Sequence, residues 1–114
     1  MKVVYIAGPY RASSINGVYE NIHAARQEAR RWWVNGYAVI CPHANTAFMD
    51  GEDTDHIFLD GDLELLRRCD VIVMLDGWEN SEGAKREHDE AIDCGLEVRY
   101  QYERRPSTEP DSSI

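Results

Sequence analysis

The sequence predicts one α/β domain with a mainly parallel sheet of four to five strands, for three reasons. At 114 residues the chain is long enough for a single domain with a hydrophobic core. Short apolar runs alternate along it with longer segments in which apolar residues recur at helical spacing. Glycine or proline separates many of these segments, and strands that alternate with helices are joined by right-handed crossovers, so they run parallel.

The first half of the chain predicts two strands with a long helix between them. Residues 3–7 are a short apolar run that stops at Gly8-Pro9, as a buried strand does, and residues 37–41 are the second strand. The helix between them runs to about residue 35, with N-cap candidates at Ser13, Ser14 and Asn16. Its apolar face consists of Val18, Tyr19, Ile22, Ala25, Ala29, Trp32 and Trp33. We expect the two tryptophans in the core or at a subunit interface.

The second half predicts a long polar loop and then four shorter elements. Residues 43–57 lack periodicity, and a loop of that length in a small domain is typical of a lid or a binding loop. The elements that follow are a helix marked by Leu59, Leu63 and Leu66, a strand at 70–75, a helix at 82–94 and a strand at 96–102. The domain is therefore expected to span residues 1–103, with a disordered tail at 104–114.

Composition excludes several classes of partner. The chain has 21 acidic and 12 basic residues and a net charge of -9, which disfavours binding to nucleic acid polymers or to anionic membranes. A small phosphate-bearing ligand is compatible, because backbone N–H groups and one arginine can hold a phosphate locally. The apolar start is too short for a signal segment or a membrane span. Cys41, Cys69 and Cys94 form no paired motif and are expected to be buried and reduced, so we expect a cytoplasmic protein.

Polar residues follow three of the predicted strands at their carboxyl ends. These segments are Gly8-Pro9-Tyr10-Arg11, Pro42-His43-Ala44-Asn45 and Asp76-Gly77-Trp78. In parallel sheets, ligands bind beyond the carboxyl ends of the strands. We therefore expect the three segments to converge on one crevice, with the long polar loop over it.

Two carboxylates are candidates for chemistry in this crevice. Glu87 lies in the apolar arc of the last helix, where a carboxylate is either a paired structural charge or a working group. Asp62 lies beside the leucine stripe formed by Leu59, Leu63 and Leu66. Its simpler interpretation is a negative charge favoured at a helix start. Two acids in one crevice can divide glycosidic cleavage between them, one attacking or stabilising the anomeric carbon and the other protonating or orienting the leaving group.

Other residues near the crevice have both a structural and a functional interpretation. Tyr5, in the first strand, packs in the core or orients a carboxylate through its hydroxyl. Ser81 caps the last helix, and the same position lets its hydroxyl and the following N–H groups bind a phosphate, with Gly83 leaving room. Arg11 follows Gly8-Pro9, two residues expected to contact the ligand, and is placed to supply the positive charge opposite a phosphate.

No metal and no cofactor are predicted. The segment after the first strand lacks the Gly-Lys-Ser/Thr ending of a P-loop and a G-x-G-x-x-G pattern, so ATP and NAD are not indicated. Two histidines and three aspartates suggest a metal site only weakly, because their spacing fits no common ligand pattern and a solvated acidic loop is the usual alternative. These residues are His43, Asp50, Asp53, Asp55 and His56.

Taken together, these residues resemble the nucleoside 2-deoxyribosyltransferase superfamily, in particular its small phage and bacterial members that begin with Tyr-Ile-x-Gly-Pro. The resemblance covers about residues 2–100. Its anchors, in order, are Tyr5-Ile6-Ala7-Gly8-Pro9, then Asp62 with Leu65 and Cys69-Asp70, then Ser81-x-Gly83-x-x-x-Glu87 with Ala91 and Gly95. The resemblance implies a flavodoxin-like, Rossmann-like three-layer sandwich, and a homodimer or larger homo-oligomer with sites near subunit contacts.

The resemblance also implies roles for individual residues. Glu87 would attack C1′ of the deoxyribose to give a covalent glycosyl intermediate, Tyr5 would orient that carboxylate, and Asp62 would assist the departing base. Position 81 is typically aspartate in the transferases, whereas serine is typical of the related 2′-deoxynucleoside 5′-monophosphate N-glycosidases, where it meets the 5′-phosphate. Ser81 therefore favours a (deoxy)nucleoside 5′-monophosphate as substrate.

Three functions of different classes stay open from the sequence. The leading one is an N-glycosidase that uses Glu87, with Asn45, Phe48 and Trp78 bordering the base. The second is a non-catalytic nucleotide-binding or sensing module on the same crevice, in which Glu87 has a structural role. The third is an interaction subunit that makes contacts through its tryptophans. Hydrolysis and transfer to a second base share the first half-reaction, so the sequence does not separate them.

Overall fold

The computed structural model describes residues 1–49 and 56–104 and has the predicted α/β fold. The strands in this part of the chain are β1 (Val3–Ala7), β2 (Ala38–Ile40), β3 (Val71–Met74) and β4 (Glu97–Tyr100). The helices are α1 (Ile15–Val34), α2 (Pro42–Asn45), α3 (His56–Arg67) and α4 (Glu82–Asp93). Short 3₁₀ helices at Trp78–Asn80 and Gln101–Arg104 follow β3 and β4.

The strands form one parallel sheet in the order β2-β1-β3-β4. β1 lies inside the sheet, and its Tyr5 is paired with Ile40 of β2 and with Ile72 of β3. From β1 the chain crosses to β2 on one side, and it later returns to β3 and continues to β4 on the other side. This reversal creates a switch point at the carboxyl ends of β1 and β3, which is where ligands bind in open α/β sheets.

The core has two halves, one on each face of the sheet. Val4 and Ile6 of β1 pack with residues of α1, whereas Tyr5 and Ala7 pack with residues of α3 and α4, because alternate strand residues face opposite sides. Helices on both faces of a parallel sheet make a three-layer sandwich, so the predicted fold class is confirmed. None of the described helices combines the length and the hydrophobicity that crossing a bilayer requires.

α1 begins and ends where its sequence predicts. Ser14 Oγ accepts a hydrogen bond from the N–H of Gly17 at 3.0 Å, so Ser14 is the N-cap among the three candidates. The helix stops before Gly36, whose φ of 93° lies in the left-handed region that favours glycine.

Several predicted boundaries are wrong. The expected loop at 43–57 begins as a helix, α2, because the fixed φ of Pro42 suits the first turn of a helix. α3 begins at His56, before the leucine stripe, while residues 50–55 of the predicted lid and the predicted tail from residue 105 lie outside the described residues. β4 stops at Tyr100 and not at residue 102. The Tyr100 N–H donates to Glu103 Oε1 at 2.9 Å, and the chain turns into a 3₁₀ helix.

The structure bears on two expectations about burial. Trp32 lies in the core as predicted, whereas Trp33 is 55 % exposed, because consecutive helix residues point about 100° apart and only Trp32 faces the sheet; the alternative of a subunit interface for Trp33 stays a prediction. The cysteines are all free, but only Cys69 is buried. Cys41 is half-buried, and Cys94 is exposed because it caps the end of α4.

Candidate active site

A cavity of about 620 Å³ opens at the switch point of the sheet, where the strand order predicts a ligand site. Its volume is typical of small-molecule sites. The loop after β1, the region of α2, one side of α3 and the start of α4 all contribute to its lining. Seven of the residues predicted for the site line it, namely Gly8, Pro9, Arg11, Asp62, Ser81, Gly83 and Glu87.

Glu87 is held in the wall of this cavity by Tyr5. Glu87 lies in the second turn of α4 and is only 8 % exposed, and Tyr5 in the middle of β1 is fully buried. The Tyr5 hydroxyl donates a hydrogen bond to Glu87 Oε2. Tyr5 is thus both a core residue and the donor that fixes the orientation of this carboxyl group.

Burial dominates the electrostatics of these side chains. It raises the pKa of Glu87 to about 8, against an opposing effect of the Tyr5 hydrogen bond and with a smaller increase caused by the charge of Asp62. Burial raises the pKa of Asp62 to about 6. Burial and then the negative charges of the two carboxylates raise the pKa of Tyr5, so its hydroxyl keeps its proton. Between about pH 6 and pH 8 the two carboxyl groups therefore hold one proton between them.

Asp62 reaches the cavity from the middle of α3. The helix begins six residues earlier, at His56, so the interpretation of Asp62 as a charge at a helix start is wrong. Leu63 and Leu66 of the same helix pack into the core beside Tyr5, and Asp62 faces the cavity that Glu87 also lines.

The start of α4 presents hydrogen-bond donors to the cavity. Ser81 is the N-cap, as predicted, because its Oγ accepts a hydrogen bond from the N–H of Ala84 at 3.2 Å. The hydroxyl can still donate its own hydrogen to a ligand. A Cβ added at Gly83 would contact nothing within 4 Å, so there is open space beside the helix N-terminus. Backbone N–H groups and the helix dipole favour an anion in that space.

The loop after β1 brings a glycine and an arginine to the same cavity. Gly8 is required by packing, because a Cβ there would lie 2.6 Å from the Cβ of Leu75. Arg11 is exposed and lines the cavity with Pro9. A guanidinium at this position suits an anionic ligand near Ser81.

His43 lines the cavity, as expected for the segment that follows β2, although the sequence indicated no role for its side chain beyond a weak metal candidate. The residue is 6 % exposed, and its ring packs edge-on to Tyr10 with Nε2 2.9 Å from the carbonyl oxygen of Pro9. Burial lowers the pKa of His43, so the ring is neutral at pH 7. The sequence does contain a signal for His43 as a lining residue, which is its position after Pro42 at the end of a strand. A proline there favours a helix start, and the helix start determines where the next side chain lies. Thr46 and Phe58 also line the cavity and were not predicted.

Three residues expected to border a base lie outside the lining formed by the described residues. Asn45 is exposed at the end of α2. Phe48 is 54 % exposed, and its N–H donates to the Tyr10 hydroxyl at 2.7 Å. Trp78 stacks on His88 with 4.4 Å between ring centroids, because the left-handed glycine before it turns the chain toward α4.

Among residues 1–49 and 56–104, no group of three or more His, Cys, Asp or Glu side chains is arranged to hold a metal ion. His43 and His56 both line the cavity. Asp50, Asp53 and Asp55, which the sequence associates with them, lie outside the described residues. The described lining supplies carboxyl, hydroxyl, guanidinium and imidazole groups.

The strand order, the helices on both faces and the cavity at the switch point define a flavodoxin-like α/β protein. A family model described as "Domain of unknown function (DUF4406)" matches residues 2–100, so the chain belongs to this family. A search of curated protein sequences found no match.

Among solved structures, the chain is similar to a 2-deoxyribosyltransferase from the psychrotolerant bacterium Bacillus psychrosaccharolyticus, described as a biocatalyst for the synthesis of antiviral and antitumoral nucleosides. The TM-score is 0.63 at 17 % sequence identity, and the match covers 86 % of this chain and 70 % of that enzyme. An identity this low shows a shared fold. The resemblance to the nucleoside 2-deoxyribosyltransferase superfamily is confirmed at that level.

Proposed function

We propose that the protein cleaves the N-glycosidic bond of a (deoxy)nucleoside 5′-monophosphate, or of a nucleoside, through a covalent glycosyl intermediate on Glu87. The observation that carries this proposal is the buried Glu87 carboxyl, hydrogen-bonded by Tyr5 in the wall of a cavity that Asp62 also lines. An oriented carboxylate beside a second acid is the pair that retaining glycoside cleavage requires.

In the first half-reaction, ionised Glu87 attacks C1′ of the sugar with Oε1, since Oε2 accepts the hydrogen bond from Tyr5. The new C1′–O bond forms as the C1′–N bond breaks, and the electron pair of that bond passes to the base nitrogen. Protonated Asp62 donates its proton to the base, which then leaves as a neutral molecule. Ionised Glu87 with protonated Asp62 is one of the two arrangements of the single proton that the pair holds between about pH 6 and pH 8.

In the second half-reaction, the sugar leaves Glu87. A water molecule attacks C1′ and gives its proton to ionised Asp62 as the C1′–O bond to Glu87 breaks, which completes hydrolysis. If a second base takes the place of water, its nitrogen attacks C1′ and gives its proton to ionised Asp62 as the C1′–O bond to Glu87 breaks, and the product is a new nucleoside or nucleotide.

The donors at one end of the cavity support a 5′-phosphate on the substrate. The Ser81 hydroxyl and the first N–H groups of α4 lie beside the open space at Gly83, and Arg11 lines the same cavity. These groups bind a phosphate locally although the whole chain has a net charge of -9.

A non-catalytic nucleotide-binding module is the second candidate. The pKa of Glu87, raised to about 8, favours it, because a protonated carboxyl group is not a nucleophile and most Glu87 side chains in the empty site are protonated at pH 7. In such a module the same cavity binds the nucleotide without breaking the glycosidic bond.

Release of free base from each common nucleoside and 2′-deoxynucleoside 5′-monophosphate tests the proposal. Wild type should release base, Glu87→Gln should not, and Glu20→Gln, a change at an exposed position of α1, should behave as wild type. A covalent sugar adduct on Glu87 in a rapidly quenched sample, detected by mass spectrometry, would identify the nucleophile. Nucleotide binding without base release by any of the three proteins would favour the binding module.

A homodimer or larger homo-oligomer and a cytoplasmic location also belong to this proposal. The exposed apolar side chains of α1, Ile15, Tyr19, Trp33 and Val34, support self-association, and three free cysteines are in keeping with a reducing compartment. Light scattering after size-exclusion chromatography measures the mass of the assembly, and a monomer at all concentrations would contradict the first part.

A further inference from the structure

Phe58 is an aromatic residue in the wall of the cavity that neither the core nor the proposed reaction uses. It lies in the first turn of α3 and lines the cavity together with Leu59. Leu59 also packs against the core around Tyr5, whereas Phe58 belongs to neither half of the core formed by residues 1–49 and 56–104. Phe58 is only partly buried, so some of its surface stays accessible. A cavity that exposes an aromatic side chain offers a large apolar contact area to a ligand.

The spacing along α3 places Phe58 next to Asp62. The two residues are four positions apart, and residues at that spacing lie on the same face of a helix with about 5–6 Å between their Cβ atoms. Both line the cavity, so this face of α3 is turned toward the ligand space. The neighbouring face, with Leu59, Leu63 and Leu66, packs on the core. A ligand group that contacts the Asp62 carboxyl group therefore lies within reach of the Phe58 ring.

The proposed reaction determines which part of a nucleotide lies there, so this step rests on the proposed function. Asp62 donates its proton to the departing base, and the base must therefore contact Asp62 on the α3 side of the cavity. The groups proposed for the phosphate and for C1′ are Ser81 and Glu87, which belong to the start and the second turn of α4. A nucleobase is planar with a π face on either side, and such rings stack on aromatic side chains.

We propose that the ring of Phe58 is the platform on which the nucleobase stacks. Because every base has a π face, a platform of this kind raises the affinity for a nucleotide above that for the bare sugar phosphate, whichever base is present. Phe58 is then a binding residue for the base, separate from Glu87 and Asp62, which break the bond. The site distinguishes nucleotides from sugar phosphates through α3 and binds their phosphate through α4.

Calorimetric titration of Glu87→Gln, which cannot form the covalent intermediate, tests this proposal. The ligands are dAMP, dCMP, dGMP and dTMP. The reference ligand is 1,2-dideoxyribose 5-phosphate, the same sugar phosphate with hydrogen in place of the base, and its binding is measured by displacement of the tightest nucleotide. For each nucleotide that binds, the measured quantity is the ratio of two dissociation constants, reference against nucleotide. This ratio separates the contribution of the base from that of the phosphate.

Three substitutions of Phe58 in the Glu87→Gln protein separate the aromatic face from mere apolar contact. Phe58→Ala removes the ring, Phe58→Leu replaces it with an aliphatic group, and Phe58→Tyr keeps an aromatic face. Phe48→Ala is the matched control, because Phe48 is 54 % exposed and lies outside the lining formed by the described residues. Since Phe58 is not part of the described core, all of these proteins should fold, and thermal melts verify that they do.

Phe58→Ala should lower the ratio about 5-fold or more, which is the loss expected for one base–aromatic contact. Phe58→Leu should lower it as well, whereas Phe58→Tyr and Phe48→Ala should keep the ratio of the Glu87→Gln protein. An unchanged ratio in Phe58→Ala or in Phe58→Leu would overturn the platform even if wild type releases base. The expected pattern without base release by wild type would support the platform and contradict catalysis. Absence of binding by all four nucleotides would overturn both proposals.

Discussion

Replacing Glu87 by glutamine removes the ionisation of a buried carboxyl group and should flatten the pH dependence of stability. In the folded protein burial raises the pKa of Glu87 to about 8, against 4.5 as its ordinary value. Between these two pH values the folded protein retains a proton that the unfolded chain has lost. The free energy of unfolding of wild type should therefore fall as the pH rises from 4.5 to 8 and level off above pH 8.

The size of this effect follows from the same two values. Each pKa unit between the folded and the unfolded state corresponds to about 1.4 kcal/mol, so the full difference is about 5 kcal/mol. Relaxation around the charge and water penetration reduce it, and we expect a loss of about 2–5 kcal/mol in wild type. The glutamine amide adds a constant cost because its N–H₂ group is buried, but that cost does not change with pH. The slope with pH is therefore the quantity to compare.

Urea unfolding followed by tryptophan fluorescence at intervals from pH 5 to pH 9 measures this slope. Wild type should lose stability across the range, and the surface control Glu20→Gln should parallel wild type. Glu87→Gln should lose the Glu87 part of the slope and keep two smaller, opposing contributions: a fall up to about pH 6 from Asp62 and a rise from His43, whose pKa burial lowers. Equal slopes in wild type and Glu87→Gln would show that Glu87 ionises normally in the folded protein and would refute the electrostatic description of the site.

Four other substitutions probe neighbouring parts of the site. Tyr5→Phe removes the hydrogen bond that lowers the pKa of Glu87. The rising limb of the pH–rate profile should therefore move to higher pH, and base release at pH 7 should fall about 10-fold or more. An unchanged profile would exclude this role of Tyr5. Gly8→Ala introduces a Cβ at 2.6 Å from a carbon of Leu75 and should lower the free energy of unfolding, measured by urea titration, by about 1–3 kcal/mol. Gly83→Ala introduces a Cβ with no atom within 4 Å and should lower it by less than about 0.5 kcal/mol. Equal losses would contradict the packing argument. Ser81→Asp keeps a good N-cap but adds a negative charge that repels a phosphate. The KM for monophosphates should therefore rise about 10-fold or more relative to the KM for nucleosides. A ratio of these two KM values equal to that of wild type would argue against a phosphate at this position.

The parts of the fold and site that the sequence predicted depend on regular periodicity. The helical wheel assigned Glu87 to the apolar arc, and the helix keeps that face against the sheet over three turns. The strand pattern of β1 assigned Tyr5 to one face of the sheet, and Ser81 had a local signal as an N-cap. Alternation and capping act over a few residues, so one sequence is sufficient to predict them.

The residues that prediction missed depend on short or distant features. The segment with His43 was expected at the crevice, but its side chain was not singled out as a lining group, because it lies in a helix of 4 residues that is too short to show a period. Trp78 was assigned to the crevice because it follows a strand, but the left-handed glycine before it redirects the chain. Glu28 is buried on α1 because Trp32 donates to it at 2.9 Å and Gln101, 73 residues away, donates to it at 3.3 Å. A partner at that distance leaves no local pattern in the sequence.

The hydrogen bond between Tyr5 and Glu87 joins the central part of the sheet to a packed helix and does not involve a loop. The reactivity that we propose for Glu87 would then be set by a buried strand and a packed helix, while the segments after β1 and β2 shape the rest of the cavity. Loops can be exchanged or lengthened at little cost to the core. Relatives with the same scaffold are therefore free to change which molecules they accept without rebuilding the carboxyl pair, and a designer can graft new loops onto this framework for the same reason.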